Sequence, residues 1–212
     1  MPVLLELFSG TGSVGRAFRQ LGWEVISVDT DTNVIASMHM DVRLLMPEMV
    51  GNVDLIWASP VCTDFSRART NAKTPRDLEW ADSLVQAVID LARELRCPTM
   101  FENPESGLLR HRAIVAGIPY RVVDYCKYAD ARFTHTARKR TAIWCIDVGW
   151  RPERPLCKHD CGFCTGGRHD ETAQRGPGRP GQRRHTLDEL YAMPPLLCEE
   201  IAAWSTLNVF GI

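Results

Sequence analysis

The chain has 212 residues, which is room for one ordinary domain and a small appendage. Hydrophobic residues make up 45% and charged residues 24%, as is typical of a globular protein, and no apolar run approaches the roughly 18 residues of a membrane span. The net charge is −1, but residues 151–185 hold eight Lys or Arg and four Asp or Glu. A contact with a polyanion is therefore expected at one segment and not over the whole surface.

The first residues lack the basic stretch and long apolar core of a signal peptide. We therefore expect a cytoplasmic protein, with no membrane partner and with reduced thiols. Eight cysteines is a high number for that compartment. Three of them lie within residues 157–164, which favours a metal site over disulfides in that segment.

Residues 3–8 predict a first strand, residues 9–15 a glycine-rich turn, and residues 16–21 a helix. A strand, a glycine turn and a helix together allow backbone N–H groups to approach a polar or anionic ligand. A second predicted strand, residues 24–28, ends in Asp29, which is placed to hold a pair of ribose hydroxyls. The same pattern is also typical of a dinucleotide-binding unit or of a plain α/β turn.

Residues 33–38 predict a short helix, which Asp41 follows, and residues 53–57 predict a third strand. The stretch around Cys62 comes directly after this strand. In an open α/β sheet, ligands bind beyond the carboxyl ends of the strands. A thiol there is a candidate nucleophile if its thiolate is stabilised. The alternative is a small buried hydrophobic residue, which is common for an intracellular cysteine.

A long amphipathic helix is predicted at residues 76–95, and the next strand ends at Glu102, on the same sheet edge as Cys62. Burial beside Phe101 would raise the pKa of Glu102; a surface or capping glutamate is the alternative. Arg138 and Arg140 enter a further strand with i, i+2 spacing, so they are predicted to point the same way, towards a phosphate or a carbonyl oxygen. An ordinary basic edge strand would look the same.

After Trp150, residues 151–155 read as a linker and lead into a cysteine-rich segment. Cys157, Cys161, Cys164 and His169 fit a tetrahedral zinc site that could hold a segment too small for its own core. The spacing also matches the three-cysteine loop of iron–sulfur radical enzymes. In those enzymes the loop precedes a barrel, and the 48 residues that follow Cys164 are too few to form one. Free cysteines remain an alternative.

A Gly- and Pro-rich basic loop occupies residues 175–184, and either a nucleic-acid contact or a solvated, disordered loop would explain it. Residues 186–189 predict a capping box that opens a helix, and residues 196–205 predict a last helix. The candidate nucleic-acid residues are Ser66, Arg67, Arg175, Arg179, Arg183 and Arg184.

Taken in order, these pieces resemble the cytosine-C5 DNA methyltransferases. The resemblance is carried by residues 6–12, Asp29, Asp41, residues 59–62, Phe65, Ser66, residues 102–104, Thr136, Arg138, Arg140 and residues 192–197. It implies an α/β, Rossmann-like, S-adenosylmethionine-dependent methyltransferase fold with a small zinc-held basic insert. The implied divisions are a catalytic core at residues 1–150, a target-recognition insert at residues 151–185, and a helical segment at residues 186–212 that packs back on the core.

The resemblance also implies residue roles. Cys62 is the expected nucleophile, Glu102 the residue that hydrogen-bonds the base, and Arg138 and Arg140 the cations beside it. The implied S-adenosylmethionine-binding residues are Phe8, Ser9, Gly10, Thr11, Gly12, Asp29, Thr30, Asp41, Val42, Pro60 and Met193. The implied partner is double-stranded DNA with one cytosine flipped out, bound by a monomer.

Three features depart from the family pattern. Val61 replaces the second proline of the Pro-Pro-Cys loop, and Pro104 replaces valine after Glu-Asn, as in small phage-borne members. Leu190-Tyr191 stands where Gly-Asn usually opens the last motif. There are three rival predictions: an RNA cytosine-C5 methyltransferase, a non-catalytic zinc-containing nucleic-acid-binding module, and a nicotinamide-dependent Rossmann enzyme. The third is disfavoured because the sequence shows no set of residues typical of hydride transfer.

Overall fold

The computed structural model describes residues 1–67, 69, 72–133, 136–176, 180–182 and 184–209. Within these residues, seven strands form one mixed sheet and two more form a small hairpin. The strands are β1 Val3–Leu7, β2 Glu24–Asp29, β3 Met38–His39, β4 Leu55–Ala58, β5 Thr99–Pro104, β6 Tyr120–Asp124, β7 Arg140–Ile146, β8 Cys164–Thr165 and β9 Arg168–His169. The helices are α1 Ser13–Gln20, α2 Pro47–Val50, α3 Leu78–Leu95, α4 Leu187–Tyr191 and α5 Pro195–Val209.

The large sheet has the order β3-β2-β1-β4-β5-β7-β6. The pairs from β3 to β5 are parallel, whereas β7 is antiparallel to both β5 and β6. Chain order reverses between β1 and β4, and such a switch point leaves a crevice beyond the carboxyl ends of the strands. The predicted α/β class is confirmed, with a parallel-rich sheet.

Two apolar clusters cover the two faces of this sheet. On one face, Phe18 of α1 and Leu197 and Ile201 of α5 pack over Leu4 and Trp57. The other face is covered by α3, whose buried stripe includes the predicted Leu84, Val88 and Leu91. Burying both faces explains why the central strands read as continuous apolar runs.

The ends of α3 follow from its local sequence. Asp77 caps the first turn, since its side chain accepts the N–H of Trp80 at 2.8 Å. Arg96 ends the helix with a left-handed backbone, φ 49°. The helix therefore begins two residues after the predicted start, because Asp77 serves as the cap.

The prediction of a helix at residues 33–38 is wrong, because that segment forms turns and bends before β3. The Asp31 carboxylate accepts both the backbone N–H of Asn33 at 2.9 Å and its side-chain amide at 2.7 Å. Ser37 is tied to Ser27 of the neighbouring strand through its hydroxyl. Such side-chain bonds to the backbone compete with helix formation.

The C-terminal segment returns to the core. The predicted capping box is confirmed: Thr186 Oγ1 accepts the N–H of Glu189 at 3.2 Å, and Glu189 accepts the N–H of Thr186 at 2.8 Å. Beyond α4, α5 packs against α1, and Trp23 Nε1 donates to Thr206 Oγ1 at 2.9 Å. Among the described helices, none combines the length and apolar character needed to cross a bilayer.

Candidate active site

The glycine-rich turn between β1 and α1 forms the floor of the crevice. Phe8, Gly10 and Gly12 all have positive φ, at 55°, 44° and 64°, which turns the chain sharply at the edge of the sheet. Ser9 is buried, and its Oγ has no hydrogen-bond partner among the described residues. A polar ligand in this turn would find a free hydroxyl and the N-terminal end of α1.

Asp29, at the end of β2, fixes this turn. Its Oδ2 accepts the N–H of Gly10 at 2.8 Å, and its Oδ1 accepts the N–H of Asp31 at 2.9 Å. The carboxylate therefore lies at the mouth of the glycine turn, and the next residue, Thr30, is exposed. This is the position that the sequence predicted for an acid that binds ribose hydroxyls.

Asp41 lies beyond β3 on the same side of the sheet, but Arg43 already holds its carboxylate. Arg43 Nε lies 3.0 and 3.1 Å from the two carboxylate oxygens, and this hydrogen bonding lowers the pKa of Asp41. Val42, which follows, is buried. Asp41 therefore lies at the predicted edge of the sheet, where it forms an ion pair with Arg43.

The loop after β4 carries Cys62, and β5 brings Glu102 beside it. Asn103 is fully buried, and its Nδ2 donates to the Pro60 carbonyl at 3.0 Å, which ties the end of β5 to the loop. Cys62 is partly exposed, whereas Glu102 is 8% exposed. The predicted nucleophile and carboxyl group therefore share one edge of two adjacent parallel strands.

Burial dominates the electrostatics of this pair. It raises the pKa of the Glu102 carboxyl, and the nearby Lys139 ammonium offsets part of the rise. Burial also raises the pKa of the Cys62 thiol; Lys139 acts against the rise, whereas Glu102 adds to it. In the part of the chain that the structure describes, Glu102 Oε2 has no hydrogen-bond partner. This buried carboxyl oxygen is therefore available to hydrogen-bond a ligand in the crevice.

Arginines hold the loop that follows Cys62. Arg69 forms an ion pair with Asp64, and Arg76 donates to the carbonyls of Asp64 and Ser66, the latter at 2.9 Å. Arg67 is exposed, and its guanidinium lies 3.3 Å from a ring nitrogen of His111. Of the two predicted nucleic-acid residues here, Arg67 therefore projects from the surface, while the Ser66 backbone is part of the loop's support.

In the described part of the chain, neither Arg138 nor Arg140 forms a hydrogen bond or ion pair with Cys62 or Glu102. Arg140 donates two hydrogen bonds of 2.8 Å to the fully buried carboxylate of Asp124, while Arg138 is exposed. The residue between them, Lys139, faces the site instead: its Nζ donates to the Leu190 carbonyl at 2.8 Å. Thr136, from the same motif, is bonded through its backbone N–H to Glu171 at 2.7 Å.

The segment before α5 forms one wall of the crevice. The N–H of Met193 donates to Ser13 Oγ at 3.3 Å, which attaches this segment to the glycine turn. Tyr191 is half-exposed; burial raises the pKa of its phenol, Cys62 adds to the rise, and Arg175 offsets it. The departure from the family at Leu190-Tyr191 therefore lies next to the nucleophile.

A cluster of thiols and imidazoles lies between the insert and the core. His169 Nε2 is 3.4 Å from the Sγ of both Cys157 and Cys161, and Cys126 completes a group of four whose ligand atoms all lie within 4.8 Å of one another. Ligands on one tetrahedral zinc lie roughly 3.5–3.8 Å apart, given bonds of about 2.0–2.3 Å. The cluster therefore has the ligand types of a zinc site, and the two distances from His169 are close to this spacing.

Cys164, which the sequence included in this set, lies outside the group of four. Its Sγ is 3.6 Å from the Sγ of Cys161 and 3.8 Å from Nδ1 of His159, and it forms a second group with His159 and His169. The eight cysteines, all within the described residues, form no disulfide. Sequence reasoning missed Cys126 because it is far upstream of the insert, where no ligand spacing marks it.

Two of the four predicted basic contacts in residues 175–184 can be located. Arg175 and Arg184 are exposed, and Arg175 lies close enough to Tyr191 to affect its phenol. Arg179 and Arg183 lie outside the described residues. Both described side chains are thus exposed, and Arg175 lies on the side of the crevice that holds Tyr191.

Sequence reasoning also missed Lys139 and Tyr125. Tyr125 is fully buried, and after burial itself the nearby Glu102 raises its pKa, so its hydroxyl lies near the carboxyl group. Lys139 Nζ lies 5.0 Å from the centroid of the Tyr125 ring. A basic residue between two motif arginines was visible in the sequence, but only the strand register shows which of the three side chains points inward.

Comparisons with known proteins agree with this geometry. A protein of Frog virus 3 (isolate Goorha), named "Probable DNA (cytosine-5)-methyltransferase", is 31% identical over 218 residues, which cover 93% of this chain and 97% of the viral protein. No protein-family model matches the chain.

Two solved structures share the fold. A protein of an E. coli prophage, assigned as a DNA modification methyltransferase, has a TM-score of 0.51 and 19% identity over 68% of this chain and 46% of its own. The Entamoeba histolytica methyltransferase EhMeth has a TM-score of 0.50 and 12% identity over 74% of this chain and 56% of its own. This chain thus spans about half the length of these structures, and such identities show the fold alone.

The Rossmann-like methyltransferase fold expected from the sequence is therefore confirmed. The viral relative matches nearly the whole chain at 31% identity. The ordered motifs, the shared edge that carries Cys62 and Glu102, and this relative lead to one conclusion: the chain belongs to the DNA (cytosine-5)-methyltransferase family.

Proposed function

We propose that this protein transfers a methyl group from S-adenosylmethionine to C5 of a cytosine that is flipped out of double-stranded DNA. The observation that carries the proposal is the pairing of Cys62 with Glu102, whose buried Oε2 has no partner among the described residues. A base inside a duplex cannot reach a thiol in such a crevice, so extrusion of the cytosine is part of the proposal.

Cys62 and Glu102 divide the chemistry. The Cys62 thiolate adds to C6 of the ring, which forms a C–S bond and moves the C5–C6 electron pair to C5. Glu102 holds N3 and the 4-amino group and stabilises the charge that develops on the ring. C5 would then bond to the methyl carbon as the bond from that carbon to the sulfonium sulfur breaks, and the sulfur would keep the electron pair and leave as a neutral thioether. Loss of the C5 proton then restores the double bond and expels Cys62.

S-adenosylmethionine supplies an electrophilic methyl group on a positively charged sulfur. In our proposal, Ser9, Gly10 and the other residues of the turn hold its amino-acid part, and Asp29 holds the ribose hydroxyls. The unpartnered Ser9 hydroxyl and the left-handed backbone of the turn support this assignment. The remaining residues assigned to this ligand are Phe8, Thr11, Gly12, Thr30, Asp41, Val42, Pro60 and Met193.

We also propose a structural zinc ion, bound by Cys126, Cys157, Cys161 and His169. Because Cys126 belongs to the core, the ion would attach the insert to the end of β6. Metal analysis should find one zinc per chain in the wild type. Cys126→Ser should lose the ion, whereas Cys164→Ser should retain it; the reverse pattern would restore the ligand set predicted from the sequence.

For the chain's organisation, we propose residues 1–150 as the catalytic core, residues 151–185 as the target-recognition insert, and residues 186–212 as a segment that closes against the core. Arg67, Arg175 and Arg184 would contact phosphates, as would Arg179 and Arg183. We propose that the enzyme acts as a monomer, because one chain carries both members of the Cys62–Glu102 pair. We also propose that it acts in the cytoplasm.

Methyl transfer from labelled S-adenosylmethionine tests the proposal directly. Wild-type protein should label DNA at cytosine C5, and Cys62→Ala should not, while both bind S-adenosylmethionine in calorimetry. Undiminished transfer by Cys62→Ala would remove Cys62 from the mechanism. Labelling of RNA instead of DNA would favour the RNA rival, and absence of S-adenosylmethionine binding would favour the non-catalytic one.

A further inference from the structure

Lys139 is the cation that acts on both Cys62 and Glu102 among the described residues, although the sequence motif points to its neighbours. Its Nζ donates to the Leu190 carbonyl at 2.8 Å and lies 5.0 Å from the centroid of the buried Tyr125 ring. Its backbone carbonyl accepts the N–H of Tyr125 at 3.2 Å. The ammonium is therefore fixed by a carbonyl and an aromatic face, at about the distance that a cation–π interaction requires.

The pairing of the strands explains why Lys139 points into the site. Thr141 of β7 pairs with Pro104, and Ile143 pairs with Glu102. Paired residues share a face of the sheet and alternate residues share a face of a strand, so Thr141 and Ile143 lie on the Glu102 face. Lys139, two residues before Thr141, continues that face.

The same alternation turns Arg140 away. Arg140 pairs with Asp124 of β6, on the opposite face of the sheet. Its guanidinium donates two hydrogen bonds to that buried carboxylate. Arg138 is exposed. Neither of these side chains is placed to serve Cys62, and the ammonium of Lys139 takes that place.

Among the residues that the structure describes, the ionisable groups near Cys62 come from different elements. Glu102 lies at the end of β5, Tyr125 follows β6, Tyr191 ends α4, and Lys139 precedes β7. Burial and the Glu102 carboxylate disfavour a negative charge on the sulfur. Lys139 is the member of this set that favours it.

We propose that Lys139 is the positioning residue that favours the thiolate form of Cys62 against burial, and that the Leu190 carbonyl holds Lys139 in place. The inference deepens the proposed function and rests on it. Removing the positive charge would raise the pKa of the Cys62 thiol further, because burial and Glu102 would then act without an opposing cation. The Leu190-Tyr191 departure from the family pattern thereby gains a role, since Leu190 supplies the acceptor for this lysine.

Alkylation of Cys62 by iodoacetamide measures the thiolate without DNA or a methyl donor. The full chain is treated at a series of pH values, and mass spectrometry of the peptide that carries Cys62 gives its rate apart from the other cysteines. Lys139→Met should move the inflection of this profile upward by about one pH unit and slow alkylation at pH 7.5 about tenfold. Lys139→Arg should keep the wild-type profile, because it keeps the charge.

Arg93→Met is the matched control: it removes one positive charge from an exposed site at the end of α3. It should leave the profile unchanged. The proposal is overturned if Lys139→Met leaves the inflection in place, or if Arg138→Met moves it as far. A common shift in Lys139→Met and Lys139→Arg also overturns it, because the effect would then be structural and not due to charge.

These outcomes are separable from failure of the proposed function. If Lys139→Met shifts the alkylation profile relative to wild type, but the wild-type protein transfers no methyl group to DNA, the proposed function fails and the role of Lys139 stands. If transfer depends on Cys62 but the alkylation profile does not respond to Lys139, only the inference about Lys139 fails.

Discussion

Asp124→Asn should weaken both the fold and the attachment of the insert. The wild-type carboxylate is fully buried and accepts three hydrogen bonds: two from Arg140, each 2.8 Å, and one from the N–H of Cys157 at 2.9 Å. An asparagine amide keeps the shape but offers one acceptor oxygen. Its NH₂ group would face either the guanidinium or the Cys157 N–H, so at least one donor loses its partner.

The expected cost follows from these contacts. Removing one partner of a buried ion pair costs about 3–5 kcal/mol of stability, and a hydrogen bond to a charged group contributes about 1.5–3 kcal/mol. Arg140 is one-third exposed and can recover part of this loss from water. We therefore expect a decrease of about 2–4 kcal/mol in the free energy of unfolding. We also expect a 10–100-fold weaker zinc affinity, because Asp124 orients the Cys157 backbone.

Urea unfolding and competition with a chelator measure the two effects. Asp160→Asn is the control: Asp160 lies in the same loop and pairs with Lys127 at 3.1 Å, but its side chain is 55% exposed. It should change both quantities far less. In the Arg140→Met background, Asp124→Asn should cost markedly less than it does alone. Equal effects of Asp124→Asn and Asp160→Asn, or strict additivity with Arg140→Met, would refute the reasoning.

Three further predictions test the site and its support. Burial raises the pKa of Glu102 above its ordinary 4.5, so above that pH the folded protein binds more protons than the unfolded chain and loses stability as pH rises. Glu102→Gln should therefore be more stable than wild type at pH 8 in urea titrations and lose that advantage towards pH 4, while methyl transfer falls about 100-fold or more; a stability gain independent of pH would contradict this.

A Cβ on Gly15 would collide with the buried Glu6 carboxylate and lie 3.1 Å from Val25 Cγ1. Gly15→Ala should therefore destabilise the protein by about 1–3 kcal/mol. In a Glu6→Ala background, where the collision is absent, calorimetric melting should instead show a small gain from helix propensity. The double change Arg175→Gln with Arg184→Gln should lower the slope of log affinity for DNA against log salt by roughly 2, and an unchanged slope would exclude phosphate contacts there.

Local sequence was sufficient to predict the positions of the site residues that lie at the ends of parallel strands. Cys62 and Glu102 each follow a short apolar run, and the topology of parallel strands alone places them together. The capping box at Thr186 was equally readable, because its hydrogen bonds join residues only three apart.

Long-range contacts account for what the sequence did not reveal. The turn at residues 31–37 depends partly on Ser37 reaching a neighbouring strand, so the helical pattern there was misleading. Cys126 joins the metal cluster only once β6 and the insert meet. The two arginines of the motif were correctly placed near a strand, but which face each side chain takes is set by the pairing of β7 with β5 and β6.

The reversed direction of β7 has a consequence for sequences of similar design. In the parallel part of the sheet, the informative positions lie at or beyond the carboxyl end of a strand, as Glu102 in β5 and Cys62 after β4 do. In β7 they come before it, because the first residues of a reversed strand lie level with the last residues of its neighbour. Deletion of Lys139 would therefore move Arg138 into the position that enters the crevice, while leaving the register of β7 with β5 and β6 unchanged.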